Sequence, residues 1–61
     1  MTEFHTEITQ RAARAVQSLR KAQESGDDYL ASVREAELEN LARLASEHGL
    51  RIPELNGYSA A

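Results

Sequence analysis

Apolar residues recur at steps of three and four through most of the chain, and one polar break, Ser25-Gly26-Asp27-Asp28, divides them into two runs. In the first run Phe4, Ile8, Ala12, Ala15, Leu19 and Ala22 share one side, with Val16 at its margin. That pattern predicts an amphipathic helix over about residues 3–25. Thr2 is placed to cap its start, and Glu3 to complement the helix dipole. Much of the stripe is alanine, so a partner helix can approach closely although each side chain buries little area. In the second run Leu30, Val33, Leu41, Leu44 and Ala45 set the stripe, with Leu38 on one flank and Tyr29 on the other, predicting a helix over about residues 28–48.

Between the two, Gly26 suits the left-handed conformation that ends a helix, and Asp27 or Asp28 can accept from the free amides that open the next. So short a turn, residues 26–27, folds the helices antiparallel. Gly49 stands where a Schellman turn would lay Leu50 back on Ala45 or Leu44, and Pro53 bars a restart. The expected architecture is all-α: a helical hairpin over residues 1–49 and an extended C-terminal tail over residues 50–61. The tail carries Leu50, Ile52, Leu55 and Tyr58, an apolar string that can fold back over the end of the bundle or be held out for a partner. Folding back is the preferred reading.

At 61 residues without cysteine, the chain can use neither disulfides nor thiolate metal sites to reinforce a small core. A hairpin buries only one seam, so two copies are expected to pack face to face into a four-helix bundle of twofold symmetry, with a protein partner presenting similar helices as the alternative. The residues expected to carry this contact are Leu30, Leu41 and Leu44 of the second helix and Ala12, Ala15 and Leu19 of the first. Arg34 and Glu37 lie on the heptad track Leu30, Arg34, Glu37, Leu41, Leu44, His48, inside the expected seam. There they would either form a polar layer that selects the pairing or snorkel to water along a wide seam, the latter being preferred.

Chemistry adds little to this picture. Ten acidic against seven basic residues give a net charge of −3, which favours solubility and disfavours general nucleic-acid binding. Arg11, Arg14 and Lys21 on the outer side of the first helix form a possible basic face, the ground for an alternative role as a nucleic-acid-associated regulator. An antiparallel hairpin would bring His5 and His48 to one end with Glu3 and Glu47, but the spacing matches no metal motif and capping or surface histidines are the preferred reading. No cofactor, small-molecule substrate or catalytic relay is expected. The N-terminus lacks the basic and apolar regions of a secretory leader, and no apolar run suits a membrane span, so a cytoplasmic setting is expected. Ala60-Ala61 is similar to the small-residue endings read by bacterial degradation machinery.

Gly26-Asp27-Asp28-Tyr29-Leu30, then Arg34, Glu37-Leu38, Leu41-Ala42-Arg43-Leu44-Ala45 and His48-Gly49, resembles short uncharacterised helical proteins of actinobacteria. The resemblance covers the second third of the chain and implies a helical fold without an activity to carry over. Six arginines against one lysine, with ten alanines, fit a GC-rich coding sequence. The sequence therefore points to a self-associating, non-enzymatic interaction or adaptor module, with the nucleic-acid regulator second and a metal- or pH-dependent assembly module third.

Overall fold

The computed structural model describes residues 3–58, and its elements are two α-helices, α1 (Glu3–Ser25) and α2 (Asp28–Glu47), followed by a 3-10 helix, Pro53–Tyr58. No strand occurs among the described residues. The hairpin read from the hydrophobic pattern is the fold of the chain. Thr2 and Ala60-Ala61 lie outside the described residues.

The turn is made by local hydrogen bonds alone. Gly26 takes φ +75°, its N–H donates to the Gln23 carbonyl, and the Asp27 N–H reaches back to Ala22 at 2.8 Å, which closes a Schellman motif. Asp27 then opens α2, its carboxylate accepting from the Leu30 N–H at 3.0 Å while its carbonyl accepts from Ala31. One residue thus serves the end of one helix and the start of the next, leaving no slack to alter the register.

α2 closes the same way. Gly49 takes φ +68°, its N–H donates to Ser46, and the Leu50 N–H donates to Ala45 at 2.8 Å, so Leu50 turns back against the core as expected. A Cβ on Gly49 would meet nothing within 4 Å, so substitution costs backbone conformation only. Gly49→Ala is expected to destabilise the chain by about 1–2 kcal/mol in urea unfolding, the usual penalty of the left-handed region for a residue with a Cβ. Gly57 is equally uncrowded and has no positive φ, so Gly57→Ala should not lower the urea midpoint and should raise it slightly, alanine having less backbone freedom to lose on folding.

The tail departs from the extended form expected of it. Pro53 occupies the first position of the 3-10 helix, where its missing N–H costs nothing, and the Leu55 N–H donates to the Ile52 carbonyl at 2.9 Å. A 3-10 helix repeats every three residues, and Ile52, Leu55 and Tyr58 are spaced by three, so all three fall on one side. Ile52 and Leu55 are buried, and Leu50 and Tyr58 pack against the same core. The folded-back reading of the tail holds, in a helical conformation.

This third layer determines which side of α2 is buried. The core is one cluster, Ile8, Ala12, Ala15 and Leu19 from α1, Leu38, Leu41, Ala42 and Ala45 from α2, and Ile52 and Leu55 from the tail. Leu38, read from the sequence as a flank, has no exposed surface, whereas Leu30 and Leu44 are half-buried and Val33 is 38% exposed. The tail lies along the Ala42–Ser46 side of α2, where it lines a cleft with those residues. The buried face is therefore turned toward Leu38 and Ala42, away from the leucine-rich track. On α1 the expected stripe is buried except at its outer end, where Phe4 remains 38% exposed.

Candidate functional site

The molecule is a slab of 37 × 23 × 14 Å. Such a slab has two broad sides. The tail covers the back, over Ala42 and Ser46. The front is the opposite groove between α1 and α2, and at about 100° per residue the track Leu30, Arg34, Glu37, Leu41, Leu44, His48 runs along it.

Two contacts bridge the helices on this side. At the open end the Phe4 and His48 rings lie 4.7 Å apart at 58°, a tilted arrangement favourable for aromatic pairs. Toward the turn, the Arg34 guanidinium donates through Nε to the Ser18 hydroxyl at 3.0 Å. The two contacts are about four turns apart on both helices, so one register satisfies them together. Arg34 also pairs through Nη1 with Glu37 Oε1 at 2.7 Å, one turn along α2. The two side chains are 34% and 39% exposed, and a solvated pair at this spacing contributes only about 0.3–0.5 kcal/mol. Within the chain, Arg34 and Glu37 thus sit half-exposed on the shoulder of the α1–α2 contact.

The other residues assigned to a partner contact divide by burial. Leu41, Ala12, Ala15 and Leu19 are at most 5% exposed and belong to the chain's own core, a correction to their expected role between copies. They are consumed by the α1–α2 seam and by the tail, which the hairpin pattern alone does not contain. Leu30, Leu44, Arg34 and Glu37 stay accessible on the front. Ser18 is the residue that sequence reading missed. Its signal was the tight turn, which in an antiparallel register sets Ser18 level with Arg34.

Arg11, Arg14 and Lys21 are exposed on the outer side of α1. Helical spacing sets Glu3 and Glu7 on the same arc, so carboxylates interrupt the basic face. His48 packs on Phe4, and among the described residues no group of three His, Cys, Asp or Glu side chains is placed to hold a metal ion. No helix among them is long and apolar enough to cross a membrane. Compared with protein-family models, curated proteins and solved structures, the chain finds no match.

Proposed function

We propose that the chain is a small non-enzymatic interaction module that works by self-association as a homodimer. The observation that carries this reading is the asymmetry of the slab. The tail covers one groove, while Phe4, Leu30, Val33 and Leu44 leave apolar surface along the other, around the Arg34–Glu37 pair.

Short chains without disulfides or metal commonly complete their core by oligomerising, and a face made of helices suits a second pair of helices. Sedimentation equilibrium across the micromolar range should report a reversible dimer. A sharp monomer mass at every concentration would overturn the reading. The nucleic-acid alternative receives no support from the interrupted basic arc.

A further inference from the structure

We infer that the second copy docks on the front face with its α2 antiparallel, the twofold axis crossing α2 between Arg34 and Glu37. This inference rests on the self-association reading and specifies its geometry.

The charges select the arrangement. On a twofold axis at that point, Arg34 of each copy lies opposite Glu37 of the other, so one intrachain ion pair becomes a ring of four alternating charges. Moving the axis onto either residue sets like charges against each other, and so does a parallel alignment of the two helices. Like charges directly opposed across an interface are strongly disfavoured. Ser18 contributes by fixing the fork, since it takes Nε while Glu37 takes Nη1, leaving Nη2 to donate to the carboxylate of the second copy.

The apolar residues fit the same axis. Leu30, one turn before the pair, falls opposite the turn of the second copy that carries Leu41, so the half-buried Leu30 of each copy is covered. All the front residues involved lie on one ridge of α2, so the contact is isologous and closes at two copies. The polar centre fixes the register, as a single polar layer does in a coiled coil, while Leu30 of each copy adds apolar burial on either side of it.

The test uses three variants of the full chain, with helicity measured on the same samples. Arg34→Glu makes the centre all acidic and Glu37→Arg makes it all basic. Each should raise the dimer dissociation constant at least about tenfold by setting like charges together. Mixing the two in equal amounts should restore dimerisation as a heterodimer, seen by native mass spectrometry. The double reversal Arg34→Glu/Glu37→Arg should dimerise more tightly than either single variant, because every charge pair survives with its sign exchanged although the Ser18 contact to Nε is lost. If the single variants dimerise as well as the parent and the mixture prefers no hetero-pairing, this geometry is overturned while self-association stands. If the parent chain itself is monomeric, both fall.

Discussion

Leu38→Ala should leave the chain largely unfolded at room temperature. Leu38 has no exposed surface and sits in the cluster where α1, α2 and the tail meet. Truncating a buried leucine removes its transfer free energy and leaves a cavity, together about 3–4 kcal/mol. A single core in a chain of this size rarely supplies more than about 3–5 kcal/mol in total. The measurement is helicity by circular dichroism with a urea titration, and Leu30→Ala is the comparison. Leu30 is half-buried and should cost distinctly less. Equal losses from the two variants would show that α2 presents its leucine-rich track to α1, with Leu38 at the edge.

That contrast marks what the sequence could and could not disclose. Helix boundaries were legible because glycine, aspartate and proline act locally: Gly26, Asp27, Gly49 and Pro53 each do what their own backbone chemistry requires. The α1 stripe was legible too, since of Phe4, Ile8, Ala12, Ala15, Leu19 and Ala22 all but Phe4 are buried. α2 offered two overlapping stripes, Leu30, Val33, Leu41, Leu44 and Ala45, and a second turned toward Leu38 and Ala42 that shares Leu41 and Ala45 with the first. Periodicity weights them by hydrophobicity and favours the first. Burial follows whatever covers a face, and the cover is the tail, an element whose position depends on tertiary packing. The tail bears on the expected contact for the same reason: Leu41, Ala12, Ala15 and Leu19, expected to be shared between copies because a hairpin buries only one seam, are already buried within the chain. The interval of three between Ile52, Leu55 and Tyr58 was the available clue that the tail forms a 3-10 turn with one apolar side.

If the tail is the third layer of the core, Ile52→Ser/Leu55→Ser should be as damaging as any substitution inside the hairpin. Both side chains are at most 4% exposed, and the exchange removes their apolar area and sets hydroxyls in the core. The expected loss is at least about 4 kcal/mol, most of the stability available to a chain of this size. Two further readouts separate this effect from simple weakening of the helices. Lifting the tail uncovers Leu38, Ala42 and Ala45 on the back, so a hydrophobic dye should bind and light scattering should rise as a second apolar face adds to the first. A face on each side of the slab permits open-ended association, whereas the front alone closes at two copies. Gly57→Ala in the same tail should change none of these signals, since it meets nothing and strains nothing. If the double serine variant keeps the parent's helicity, urea midpoint and mass, then Ile52 and Leu55 are not part of the core, and α1 and α2 alone hold it.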